Sequence, residues 1–190
     1  MPARRKVEPE ILETAIRLFG TYGFHGVTTR DLAREADVME GSIYKWFSSK
    51  DLLYKKAIAS VIEQVNLEFH RFVVKILEKS QESDLKRLQD ALRTWYRSIP
   101  EPAARLLMQV TVSDNKLNKT TRQPLAELTN LIADGLDRQK KASRKSNSQA
   151  AARTLLRALL WAKVENENAA AAEHDMNETL QWWISAQDPR

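Results

Sequence analysis

The segment from residue 28 to residue 50, TTRDLAREADVMEGSIYKWFSSK, restricts the fold more than any other, because it encodes two short helices separated by a tight turn. Thr28 and Thr29 precede Asp31, so a hydroxyl can cap free backbone N–H groups while the carboxylate stabilises the positive end of a helix dipole. Asp37 then interrupts the first helix. Its apolar positions recur at helical spacing, at Leu32, Ala33 and Ala36.

The second short helix has an apolar side that can pack against the first. Val38 supplies an anchor before it, and Ile43 and Phe47 lie four residues apart, on the same face. Ala33 is small at the point where the two helices should approach most closely, and a larger side chain there would separate their axes. The segment therefore predicts a helix-turn-helix. The remaining face is polar, and a helix of this diameter fits the major groove of B-DNA.

These residues resemble the DNA-binding signature of the TetR family of transcriptional regulators. The resemblance covers only the amino-terminal part of the chain, up to Leu53. Inside the motif the matching residues are Thr28, Thr29, Leu32, Ala33, Ala36, Val38, Gly41, Ile43, Tyr44, Phe47, Lys50 and Leu53. Before it, the matching residues are Ala15, Leu18, Phe19, Gly23 and Gly26.

The residues expected to contact DNA follow from the motif and the resemblance. Ser42, Glu40 and Lys45 are predicted to lie nearest the base edges, and Thr29, Tyr44 and Lys50 on phosphates. The full predicted set is Thr28, Thr29, Arg30, Glu40, Gly41, Ser42, Tyr44, Lys45 and Lys50.

Two departures from the family pattern matter, one in the turn and one at the start of the second helix. Asp37 stands where the turn usually has Gly, although Asp also tolerates the left-handed conformation at some cost. Met39 replaces the usual small hydroxyl cap of the second helix and cannot cap it. Glu40 adds a negative charge near the DNA, so it either reads a cytosine amine or weakens binding.

Composition favours an all-helical protein. The motif and the resemblance imply a helix-turn-helix domain at residues 1–48 and a helical effector-binding and dimerisation domain at residues 49–190. Only 5 Gly and 6 Pro occur in 190 residues. There is no Cys, which excludes disulfides and thiolate chemistry, and no apolar run is long enough to span a membrane. The net charge of +5 permits a nucleic-acid partner without proving one. We expect a cytoplasmic protein.

Helical periodicity predicts the order of the elements. A first helix is expected at 8–22 and a long connecting helix at about 49–79, whose apolar positions recur for several turns. Further helices are expected at 85–99, 103–112, 124–136, from about 146, and around 176–184. Residues 114–121 are predicted to form a loop, and residues 166–174 a fraying end or polar connector.

The resemblance implies a second domain in which the connecting helix and the three after it enclose a pocket for a small-molecule effector. Aromatic side chains at helical spacing fill cores by default, so each candidate taken alone is better explained as a core residue than as a pocket residue. The candidates suggest a largely apolar ligand; they are Phe69, Phe72, Trp95, Tyr96, Leu107, Met108 and Leu128, with Asn66, His70, Gln109 and Thr111 as polar groups.

The last two helices carry apolar residues on more than one face, which predicts a homodimer joined through a four-helix bundle. The predicted interface residues are Leu156, Leu160, Trp182 and Trp183.

No catalytic constellation, metal site or cofactor motif occurs. His25, His70 and His174 lack metal-ligand spacing, and no phosphate loop is present. The sequence predicts a homodimeric regulator, a repressor of a palindromic operator that an effector releases, and not an enzyme. The alternatives are a constitutive DNA-binding dimer and a helical module that recruits another protein.

Overall fold

The computed structural model describes residues 7–75, 85–112, 126–127, 129–130, 133, 148–165 and 169–187. Every regular element in these ranges is a helix, and no strand occurs in them, so the predicted all-α class is confirmed. The helices are α1 (Val7–Tyr22), α2 (Thr29–Glu35), α3 (Glu40–Trp46), α4 (Lys50–Phe69), α5 (Leu85–Ser98), α6 (Glu101–Val112), α7 (Ser148–Glu165) and α8 (Ala169–Gln187).

The predicted and observed bounds agree closely, with two differences. Helix α4 does not continue as an ordinary α-helix, because a π-helical turn (His70–Val74) follows Phe69. Helix α8 begins at Ala169, so the prediction of a fraying end or polar connector at residues 166–174 is wrong for residues 169–174. Four consecutive alanines open this helix, and Ala has the highest helix propensity of any residue.

Other predicted elements lie partly or wholly outside the described residues. Residues 126, 127, 129, 130 and 133 are helical, as the prediction for 124–136 requires. The predicted loop at 114–121 and the end of the connecting helix at 76–79 lie outside the described residues.

One continuous hydrophobic core links the amino-terminal helices to the rest of the chain. Helix α1 packs against α2, α4 and α6, and α7 packs against α6 and α8. The predicted stripe of α4 is buried at Leu53, Ala57, Val61, Val65 and Phe69. The core continues through residues of the other helices, among them Ile11, Phe19, Leu32, Ile43, Trp95, Leu106 and Leu156.

Helices α1 and α6 meet backbone to backbone, at a contact that we call the α1–α6 seam (Phe19, Gly20, Pro102 and Gln109). A Cβ atom added at Gly20 would overlap the carbonyl of Pro102, so only Gly fits there. The side-chain amide of Gln109 donates hydrogen bonds to the carbonyls of Phe19, at 3.2 Å, and Gly20, at 3.1 Å. The seam thus joins the last turn of α1 to α6, a helix that lies well beyond the helix-turn-helix in the chain.

Gly20→Ala should lower the free energy of unfolding by about 1 to 3 kcal/mol, because the new methyl group meets a backbone atom that cannot rotate away. Urea denaturation of the full chain measures this loss. Gly41→Ala is the matched control, since its Cβ would meet nothing within 4 Å. This control should be neutral or stabilise by up to about 1 kcal/mol through helix propensity. Equal stability of the two variants would contradict the seam geometry.

Candidate nucleic-acid interface

Helix α2 begins with a capping box. The hydroxyl of Thr28 accepts a hydrogen bond from the Asp31 N–H at 3.1 Å, and the Asp31 carboxylate accepts one from the Thr28 N–H at 3.0 Å. The Thr28 hydroxyl also donates to this carboxylate at 2.6 Å. These bonds, with the nearby Arg34 guanidinium, hold the pKa of Asp31 below its ordinary value. The cap predicted from Thr28 and Asp31 is therefore present.

The turn between α2 and α3 fixes how the two helices cross. Asp37 has a φ of 53°, the left-handed conformation that the sequence required of this residue in place of Gly. The Val38 N–H donates to the Ala33 carbonyl at 3.0 Å, and the Val38 side chain packs against the core. Ala33 and Ile43 are buried at the crossing. The predicted helix-turn-helix geometry is the one observed.

Helix α3 has one buried side and one exposed side. Ile43 and Phe47 are buried, so the helix cannot rotate without exposing them. Its N-cap is Met39, which makes no side-chain capping bond. The exposed residues Met39, Gly41, Tyr44 and Lys45, which we call the outer face of α3, surround the half-buried Ser42. This outer face is the surface that a groove of DNA can receive.

Polar contacts join α2 to α3 and involve residues that the sequence assigned to DNA. The Glu40 carboxylate accepts a hydrogen bond from the Thr29 hydroxyl at 2.7 Å and lies 4.0 Å from the Arg30 guanidinium. The Tyr44 hydroxyl donates to the Thr29 hydroxyl at 3.3 Å. Glu40 is thus directed towards α2, a role that neither sequence interpretation of Glu40 included.

Lys50 also has a structural role. Its ammonium group donates to the carbonyls of Phe24 and Val27, each at 2.9 Å, and lies 4.2 Å from the centre of the Phe24 ring. These contacts hold the loop between α1 and α2. Lys50 is the first residue of α4, and a cation at the amino-terminal end of a helix is unfavourable because the helix dipole is positive there. This placement is a sequence signal that Lys50 has a stabilising partner elsewhere in the fold. Its predicted phosphate contact stays a prediction.

The exposed cations of the motif differ in their availability. Arg34 pairs with Asp31 at 3.0 Å, and Arg17 pairs with Glu35 at 2.8 Å. The side chain of Arg30 is 86% exposed and only weakly paired. Lys45 has no ion-pair or hydrogen-bond partner within the described part of the chain. Lys45 and Arg30 are therefore the cations most accessible to a phosphate.

The predicted effector-pocket residues are mainly core residues where their side chains are described. Phe69, Trp95, Tyr96 and Leu107 are buried, and the rings of Phe69 and Trp95 meet edge to face at 5.2 Å. The Trp95 indole N–H donates to a backbone carbonyl at 3.1 Å, which leaves it no donor for a ligand. Phe72 and Met108 are half-buried against this core.

The polar pocket candidates do not converge. His70 is exposed, and Gln109 is part of the α1–α6 seam. The Asn66 carboxamide oxygen is buried without a hydrogen-bond partner among the described residues. Leu128 and the side chain of Thr111 lie outside the described part of the structure. The pocket assignment therefore stays a prediction for the candidates as a group.

Neither of two cavities lined by described residues includes a predicted pocket residue. The larger, of about 570 Å³, lies between α1, α4 and the turn from α5 to α6, where Leu12, Val61 and Pro102 line it. The smaller, of about 300 Å³, lies between α7 and α8 beside Leu155 and Trp182.

The last two helices carry exposed aromatic residues. Trp161 is 55% exposed and Trp182 is 64% exposed. Leu156 and Leu160, which the sequence assigned to a dimer interface, are buried inside the subunit, so the structure places them in its core instead. The side chain of Trp183 lies outside the described residues. The dimer stays a prediction, with Trp161 and Trp182 as its exposed apolar groups.

Within the described ranges, no group of three or more His, Asp or Glu side chains is arranged to bind a metal ion. No described helix is long and apolar enough to cross a membrane.

A capped α2, a tightly crossed α3 and the helices that pack against them form the arrangement of a helix-turn-helix DNA-binding protein. Residues 11–57 match the family model described as bacterial regulatory proteins, tetR family. This match confirms, for the amino-terminal part of the chain, the resemblance to the TetR family of transcriptional regulators that the sequence predicted.

Similar proteins extend this comparison beyond the motif. The biofilm operon icaADBC HTH-type negative transcriptional regulator IcaR of Staphylococcus epidermidis is 21% identical over 131 residues, which cover 68% of this chain and 67% of IcaR. Two other curated relatives are matched over smaller shares of their own length, 28% for one and 53% for the other.

Solved structures share the whole fold. The regulator FadR of Bacillus subtilis superimposes with a TM-score of 0.72 at 15% identity, covering 94% of this chain and 98% of FadR. A regulator from Saccharomonospora viridis gives a TM-score of 0.72 at 20% identity, covering 98% of this chain and 100% of that one.

Asp31→Asn should destabilise the protein near neutral pH, and the difference from wild type should shrink in acid. Because the folded-state pKa of Asp31 is lowered, its stabilisation is complete above the unfolded-state pKa and is lost as the pH falls through the folded-state pKa. Urea denaturation at a series of pH values measures this.

Thr28→Ala removes the Thr28 hydroxyl, which is the partner of Asp31 in the capping box. It should lower the free energy of unfolding by about 1 kcal/mol. The double variant should be little less stable than either single variant, since both changes break one interaction. Fully additive losses would contradict the capping box.

Proposed function

We propose that the protein is a homodimeric repressor that binds a palindromic DNA operator through α3 and releases it when a small-molecule effector occupies the second domain. The observation that carries this proposal is the arrangement of α3. Its apolar side is held in the core by Ile43 and Phe47, and its outer face presents Lys45, which has no ion-pair or hydrogen-bond partner among the described residues. A short exposed helix held in this way can enter a major groove.

Gly41 supports DNA as the partner. A Cβ at this position would meet nothing within 4 Å, and the backbone there does not have a positive φ. Neither packing nor backbone conformation within the described structure therefore requires Gly, which is less favourable than Ala in a helix. The absence of a side chain lets an external partner approach the α3 backbone closely.

Repression and dimerisation rest on different observations. IcaR is named a negative regulator, which supports repression. Exposed Trp161 and Trp182 on α7 and α8 supply apolar surface for a subunit contact, since large aromatic residues are common anchors of interfaces. Two subunits would present two α3 helices to half-sites separated by about 34 to 36 Å or a multiple of that distance.

An effector is supported by the structural neighbours. FadR was solved in complex with stearoyl-CoA, and the Saccharomonospora viridis regulator in complex with choline. In this chain the α1–α6 seam is a route from the second domain to α3, because α1 packs against both α6 and α2. A coupling free energy of about 1 to 3 kcal/mol would change operator affinity about 5-fold to 150-fold.

DNA binding is tested by selection of sequences from a random duplex pool with the full-length protein. We expect a palindrome to be enriched. Lys45→Gln should weaken binding to it and lower the slope of log affinity against log salt by about one, because one cation is removed from the surface that faces DNA. Lys75→Gln, which removes an exposed cation from beyond the π-helical turn, is the matched control and should not change the slope.

Gly41→Ala adds a second variant to this experiment. It should bind the palindrome more weakly than wild type while remaining at least as stable, since its methyl group occupies only the space that DNA would use. No enriched sequence, or identical slopes for Lys45→Gln and Lys75→Gln, would overturn DNA reading by α3.

Effector control is tested by a thermal-shift screen of the full chain, starting with stearoyl-CoA and choline as probes. Compounds that raise the Tm should lower operator affinity about 5-fold to 150-fold. Gln109→Leu should reduce that ratio, because it removes both hydrogen bonds of the seam. Compounds that bind without changing operator affinity would favour the alternative of a constitutive DNA-binding dimer.

A further inference from the structure

The amino-terminal end of α3 exposes a large apolar side chain. Met39 is 83% exposed, although Val38 beside it packs against the core. Residues at the amino-terminal end of a recognition helix are those that meet base edges. We propose that Met39 contacts the C5-methyl group of a thymine in each operator half-site, and that it is a specificity-determining residue. This inference rests on the proposed DNA-binding function.

Two features of Met39 lack an explanation within the subunit. Its exposure means that its side chain contributes little burial to the fold. It also occupies an N-cap position without a side-chain capping bond, where Ser, Thr, Asp or Asn would stabilise the helix. At this position the chain therefore lacks a capping hydrogen bond and exposes an apolar group instead. This combination is consistent with selection for contact with a partner.

The polar side chain that could compete for the same base is directed elsewhere. The Glu40 carboxylate is bound to the Thr29 hydroxyl at 2.7 Å and lies 4.0 Å from the Arg30 guanidinium, so it is held against α2. Gly41, the next residue, has no side chain. The exposed end of α3 thus offers the thioether chain of Met39 beside bare backbone.

The chemistry of the major groove identifies the matching base. Of the four standard bases, only thymine presents a methyl group there, and apolar side chains recognise it by contact. Methionine is unbranched and adaptable, so its terminal methyl group and sulfur can follow the shape of a neighbouring methyl group. A polar base edge at the same position would lose hydrogen bonds to water without replacement. Thymine is therefore the base that Met39 selects.

The experiment uses the full-length protein and the palindrome enriched from the random duplex pool. Each thymine is replaced in turn by deoxyuridine, symmetrically in both half-sites, which removes only the C5-methyl group. Wild type should lose about fourfold in affinity per half-site at one thymine position, the value expected for one buried methyl group. Replacement at the other thymines should have smaller effects.

Met39→Ser distinguishes a lost contact from a damaged fold. Serine can cap α3, so this variant should be at least as stable as wild type by urea denaturation. It should bind the thymine and deoxyuridine operators equally at the sensitive position. Met39→Leu keeps an apolar side chain of similar size and should retain most of the discrimination.

The outcomes separate this inference from the function on which it rests. If a palindrome is enriched but wild type discriminates against deoxyuridine at no position, or if Met39→Ser keeps the discrimination, the Met39 inference is overturned and DNA binding stands. If no sequence is enriched, the proposed function fails and the inference fails with it.

Discussion

The burial of Ile43 and Phe47 in the core is the constraint on which the functional surface depends. Both side chains are buried, and Ala33 allows α2 and α3 to approach closely enough to enclose Ile43. A seven-residue helix has too few backbone hydrogen bonds to be stable alone, so tertiary contacts must hold it. Because those contacts occupy one side of α3, they also determine which residues remain on the outer face.

Several polar side chains that the sequence assigned to DNA contacts also hold α3 and the loop before α2 in place. Glu40 and Tyr44 both contact Thr29, and Lys50 holds the carbonyls that precede α2. A substitution at any of these residues would change the position of α3 as well as the charge near DNA. Loss of DNA binding in such a variant would therefore not establish a direct contact. Lys45 and Gly41 are better probes, since neither has a described partner within the subunit.

The parts of the structure that were predictable from sequence depend on neighbouring residues. The capping box joins residues three apart, and the buried stripe of α4 follows the 3.6-residue helical period. The left-handed Asp37 was expected because the motif has a turn at that position. The spacing of residue types along the chain is sufficient to predict short-range relations of this kind.

Long-range relations were not predictable in the same way. Gln109 and Lys50 bind backbone carbonyls 89 and 26 residues away, and every residue type supplies a carbonyl, so the acceptor has no sequence signature. Leu156 and Leu160 were assigned to an interface because apolar periodicity does not distinguish a buried core from a subunit contact. The hydrogen bond from Thr29 to the Glu40 carboxylate likewise depends on how α2 and α3 cross, and the crossing is visible only in the three-dimensional structure.

The close approach of Gly20 to Pro102 has a mechanical consequence. Most helix pairs are separated by side chains that can change rotamer and so absorb small displacements. At this point no rotatable group lies between the two main chains. A movement of the first turn of α6 would therefore displace the end of α1 by nearly the same distance, because no side-chain rearrangement could absorb it.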